Sequence, residues 1–103
     1  MDPRRIPKGD VENILTVAAK KIWFEATEYA WHENSPPAAA RAEECLQAAL
    51  RGIEQWADSV YEFGVDPDVA DAEFLSDPDR RLGLGCLRPS EVIDRALATG
   101  RVL

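Results

Sequence analysis

The chain has 103 residues, is 46% apolar and carries a formal net charge of −7. It is long enough to bury a core without help from a metal or disulfide, and its composition is globular. The negative charge argues against direct nucleic-acid binding, because phosphate contacts need Lys and Arg to displace counterions; it favours a protein partner with a basic surface.

The N-terminal stretch MDPRRIPKGD is charged and has no apolar h-region, so it does not read as a signal peptide. No apolar run approaches the ~20 residues of a membrane span, and the expected location is cytoplasmic. Nine Arg against three Lys, with abundant Ala, hint at a GC-rich bacterial or phage genome.

In chain order, residues 1–9 read as an irregular lead-in punctuated by Pro3, Pro7 and Gly9. Asp10 is a suitable N-cap. Apolar residues at 11, 15, 18, 22, 26 and 29 have helical spacing, which predicts a first helix to about Glu33. Asn34-Ser35-Pro36-Pro37 stops it, with Ser35 as the next N-cap and Pro36 at the first helical position. A second helix is expected over about 36–63, with Ala38, Ala42, Cys45, Ala49, Ile53, Trp56, Val60 and Phe63 on one stripe and Gly64 as its stop. Two long helices with so short a link must lie antiparallel.

The last third carries one signal twice: Asp66-Pro67-Asp68 and Asp77-Pro78-Asp79. Each sets a capping aspartate before a proline that can open a helix. A short helix is expected over 67–75 and one turn after Pro78. Gly83-Leu84-Gly85 reads as a loop, and Ser90 as the cap of a final helix over 91–99 closed by Gly100. The fold expected is a single all-α domain over 1–103: a long antiparallel helical hairpin over 10–63, then an acidic linker and short C-terminal helices over 64–103 that cover it.

The stretch EATEYAWHENSPPAAARAEE holds the only histidine, and Glu25, Glu28 and His32 share one flank of the first helix. The acids of the second helix, Glu43, Glu44, Glu54, Asp58 and Glu62, fall on its far side, so one hairpin cannot complete a ligand set. The flank reads as Lys21–Glu25 and Glu28–His32 pairs on a solvated surface.

Glu25-x-x-Glu28 followed by Glu54-x-x-x-Asp58 loosely resembles the all-α nucleotide pyrophosphatases of the MazG type. That family's second motif is Glu-x-x-Asp, and Ala57 stands where the aspartate belongs. The two acid pairs would also sit ~15 Å apart at 1.5 Å per residue, and no role is carried over. Asp66, Asp68, Asp71 and Glu73 have the density of a calcium loop but lack the EF-hand glycine and terminal glutamate. Cys45 and Cys86 show no zinc spacing, and one histidine supports no Ser-His-Asp signature. No catalytic residue, metal or cofactor is assigned.

Two features remain. Val17, Phe24 and Trp31 recur at seven-residue intervals roughly opposite the Ile22 stripe, making the first helix apolar on two sides. Either residues 65–103 fold over this second face, using Phe74, Leu75, Leu84, Leu87, Val92, Ile93 and Leu97, or the face binds another chain, its own copy or a different protein. Residues 64–79 hold six acids and no base. They read as caps and solvated charge, or as a docking patch, with Asp66, Asp68, Asp71 and Glu73 as its candidate residues. The functional expectation is a small acidic, non-catalytic interaction module: an adaptor, regulatory subunit or inhibitor, of the kind small phage proteins often are, acting on a basic protein surface. The competing class is a small metal-binding or hydrolytic enzyme that brings Glu25, Glu28 and His32 together from two copies.

Overall fold

A computed structural model describes residues 6–103. Residues 1–5, with most of the lead-in expected before the hairpin, lie outside the described residues. The described residues form five helices and no strand: α1 Lys8–His32, α2 Pro36–Tyr61, α3 Pro67–Leu75, α4 Pro78–Gly83 and α5 Pro89–Thr99. This is the expected all-α architecture, with α1 and α2 packed as an antiparallel hairpin and three short helices against it.

Local chemistry sets most boundaries. Asp66 Oδ1 accepts the Asp68 N–H at 2.9 Å, and Asp77 Oδ1 accepts those of Asp79 and Arg80 at 2.8 and 3.3 Å. Each satisfies backbone donors that a helix start leaves without an internal partner. Gly64 and Gly100 take φ of 66° and 69°, the left-handed conformation that ends a helix.

Three expected caps differ. α1 starts at Lys8, so Asp10 lies inside the first turn, where its charge still suits the helix dipole. The Pro7 carbonyl instead accepts the N–H groups of Asp10 and Val11 at 3.0 and 3.1 Å. Ser35 occupies the N-cap position of α2 but makes no side-chain cap bond. Ser90 is the second residue of α5, because Pro89, with no N–H to satisfy, fits its first position.

One apolar cluster draws on α1, α2, α3, α5 and Leu84, the residue that follows α4. α1 contributes Val11, Leu15, Ala18 and Ala19; α2 contributes Leu46, Ala49, Ile53, Trp56, Ala57 and Val60; the C-terminal third adds Ala70, Phe74, Leu84, Val92 and Ile93. Two glycines set the approach of the short helices. A Cβ on Gly83 would overlap the Cys45 carbonyl and crowd Ala49, and one on Gly52 would overlap the Arg80 side chain and crowd Phe74. α4 therefore rests almost directly on the α2 backbone.

The C-terminal third leaves Phe24 and Trp31 of the second apolar face exposed; Val102 reaches the edge of that face, its carbonyl accepting from Lys21 Nζ at 2.7 Å. Phe74, Leu84, Val92 and Ile93 enter the common core between the hairpin helices and α3–α5. Of the residues expected to serve as a cover, Leu97 is left exposed. Beyond Ile22 only Ala30 of α1 is buried, and before Cys45 no residue of α2 is. The far end of the hairpin thus extends as a two-helix arm, and the molecule is 44 Å along its longest axis.

Two candidate protein-binding surfaces

The first surface lies where α2 ends and α3 packs beside it. A groove of about 340 Å³ is lined by Gln55, Asp58, Phe63, Glu73, Phe74 and Arg80, among others. Phe63 belongs to the apolar stripe expected of the second helix, but α2 stops at Tyr61 and the chain turns away at Gly64. The ring stands 79% exposed at the groove. Helical spacing from Val60 predicts Phe63 in the hairpin seam. The neighbouring Gly64 was the available sign that its backbone leaves the helix before the seam can receive it.

The electrostatics of this region follow from where the cations go. Lys8 Nζ meets Asp58 at 2.7 Å and Glu62 at 3.0 Å, and those carboxylates hold its ammonium above the usual lysine range. Arg80 lies along the groove, where Nε and Nη2 donate to the carbonyls of Phe74 and Glu73 at 3.1 and 2.8 Å, capping the C-terminal end of α3. Its guanidinium carbon lies 5.9 Å from the Phe74 ring centroid, within cation–π range. Arg41 pairs with Glu44 and Asp79, and holds the Asp79 carboxyl below the usual aspartate range. Among the described residues no ion pair reaches Asp66, Asp68 or Glu73, all of which are exposed.

Asp71 does not belong with them. It is 2% exposed and accepts the Trp56 indole N–H at 2.9 Å, the Ser90 N–H at 3.2 Å and the Ser90 hydroxyl. A carboxylate on α3 thereby caps α5 from another helix and ties both to the core tryptophan of α2. The periodicity of α3 conceals this, because acids flank Asp71 at 68 and 73 and it reads as one of a series. Removing it from the candidate docking residues leaves Asp66, Asp68 and Glu73.

The second surface is the outer face of α1. Trp31 is 80% exposed and Phe24 56% exposed, with Val17 half-buried on the same line. Val17, Lys20, Lys21, Phe24 and Glu25 surround a shallow depression of about 390 Å³. At the bend, Asn34 takes a φ of 50° and turns the chain within three residues. That leaves Trp31, at the end of the arm, with no further helix to cover it.

Glu25, Glu28 and His32 are exposed on α1. Among the described residues no group of three or more His, Cys, Asp or Glu side chains is placed to hold a metal ion. Cys45 is buried, which pushes its thiol pKa up, while Cys86 is exposed, and both are free. Among the described residues no helix is long and apolar enough to cross a membrane. Comparison with family models, with curated proteins and with solved structures finds no match.

Proposed function

We propose that the chain is a non-catalytic interaction module, an adaptor, regulatory subunit or inhibitor, that docks on a basic element of another protein through the groove beside Phe63 and the exposed carboxylates at its edge. The observation that carries this reading is Phe63 itself: a large ring exposed at a groove, with Glu73 lining the same groove and Asp66 and Asp68 exposed at the start of the adjoining helix. A Lys or Arg side chain fits this chemistry at both ends. Its stem and cationic head gain from the aromatic face, and its head gains from a carboxylate. Ringed apolar anchors are also where binding energy concentrates in protein interfaces.

The test begins with the partner that co-purifies from the native host and then measures association rates against salt. Exposed charges are screened within ~10 Å at 0.1 M salt, so association should slow steeply as salt rises. Asp66→Asn, Asp68→Asn and Glu73→Gln together should slow association, and Phe63→Ala should speed dissociation. All of these variants should leave the helical content unchanged. Association indifferent to salt and to these substitutions would overturn the reading.

A further inference from the structure

We propose that two copies of the chain pair antiparallel through the outer face of α1, about a two-fold axis beside Phe24, each seating its Trp31 against Val17 of the other. This surface is separate from the groove beside Phe63, and the inference stands or falls independently of it.

The argument starts from the order of side chains on α1. Val17 and Trp31 lie within about 20° of Phe24 on the helix circumference, one seven residues before it and one seven after. Turning a second copy end for end about Phe24 therefore brings Val17 opposite Trp31 twice and Phe24 opposite Phe24 once. A helical side chain leans toward the N-terminus of its own helix. In the reversed copy this carries the Trp31 ring from the level of Val17 toward Lys20, Lys21 and Phe24. Those residues, with Val17 and Glu25, surround the shallow depression of about 390 Å³. The depression thus lies where the operation delivers the most exposed large apolar side chain of the arm.

Charge selects the same arrangement. Lys20 and Lys21 precede Phe24, whereas Glu25 and Glu28 follow it. Lys21 and Glu28 lie on one flank, roughly 60° and 40° round from Phe24; Lys21 Nζ donates to the Val102 carbonyl at 2.7 Å, a neutral acceptor that does not offset its positive charge. A two-fold of this kind keeps each flank facing its own equivalent, so Lys21 of each copy meets Glu28 of the other. A parallel pairing would set lysine against lysine and glutamate against glutamate, which is unfavourable. Lysine ammonium beside the seated indole adds a cation–π attraction. The contact is isologous, so it closes at two copies.

Its size sets its strength. Val17 to Trp31 spans only ~21 Å of helix, less than an interface of ~800 Å² per partner requires. The dimer should therefore dissociate on dilution.

The test is sedimentation velocity on the full chain, from roughly micromolar to roughly millimolar protein, with circular dichroism confirming the fold of each variant. The wild-type chain should pass from monomer to dimer. Trp31→Ala should weaken self-association by about thirty-fold or more, the size of a hot-spot loss. Lys21→Glu and Glu28→Lys should each weaken it, and the two combined in one chain should restore it. Phe63→Ala should leave it unchanged. A chain that stays monomeric throughout, a dimer that survives Trp31→Ala, or a double charge reversal that fails to recover pairing would overturn the proposal. A monomer that loses a different protein on Trp31→Ala would assign the face to that partner instead.

Discussion

The two halves of the hairpin are built from the same two helices but held together differently. In the proximal half, Val11, Leu15, Ala18 and Ala19 of α1 face Ile53, Trp56, Ala57 and Val60 of α2, and α3–α5 close over the seam. In the distal half the seam is small: Ala30 is its only buried residue on α1, and α2 contributes exposed or half-buried alanines. The large side chains there, Phe24, Tyr29 and Trp31, face solvent. Trp56 and Phe74 in the body are thus taken up by the core, whereas Phe24, Tyr29 and Trp31 on the arm are not. The length of a helix and the depth of its burial are separate properties, and only the second distinguishes the two halves.

The contrast is sharpest at two tryptophans. Trp56 is 2% exposed in the body and bonded to Asp71. Trp56→Ala should cost ~3–5 kcal/mol, the range for a large buried aromatic, as measured by urea unfolding. A loss below about 1 kcal/mol would mean that the body is not packed around this residue.

The Asp71 junction should show the next largest effect. Asp71→Ala removes the acceptor from the Trp56 indole and from two Ser90 donors. Bonds to charged groups contribute ~1.5–3 kcal/mol each and are not additive, so a total near 3 kcal/mol is expected in the same experiment. Ser90→Ala should cost less, because the Ser90 N–H bond survives. Equal losses in the two variants would assign the effect to the hydroxyl alone.

A smaller effect is expected where α4 rests on α2. Gly83→Ala introduces a Cβ that overlaps backbone, and overpacking of this kind costs ~1–3 kcal/mol. Gly9→Ala, with open space around the added atom, should be neutral or slightly stabilising by helix propensity. Thermal melts that rank the two the other way would contradict the close seating of α4.

Much of this was legible in the sequence, because the signals were local. The aspartate–proline pairs start α3 and α4 where the capping chemistry places them, and Gly64 and Gly100 stop helices at their left-handed positions. The periodicity of α1 identifies both the Val11–Leu15–Ala18 side and the Phe24–Trp31 side. What the sequence could not settle was long-range: which side the short helices would choose. The choice depends on Gly52 and Gly83, whose missing side chains admit α3 and α4 onto α2, while Phe24 and Trp31 on the outer face of α1 stay exposed. Asp71 shows the same limit, since its donors come from residues 15 and 19 positions away. Phe63 shows it at a helix end, where one turn separates a core position from an exposed one.

The central claim is that the arm's aromatic face serves a partner and not the fold. The most direct measurement is the melting temperature of Trp31→Ala beside the wild-type chain, both diluted until each sediments as a monomer. The account predicts values equal to within about 4 °C, since an exposed substitution changes stability by less than ~0.5 kcal/mol, which is ~2–4 °C in a chain of this size. A drop of roughly 10 °C or more, the signature of a few kcal/mol in a chain of this size, would show that Trp31 supports the fold and would contradict the account.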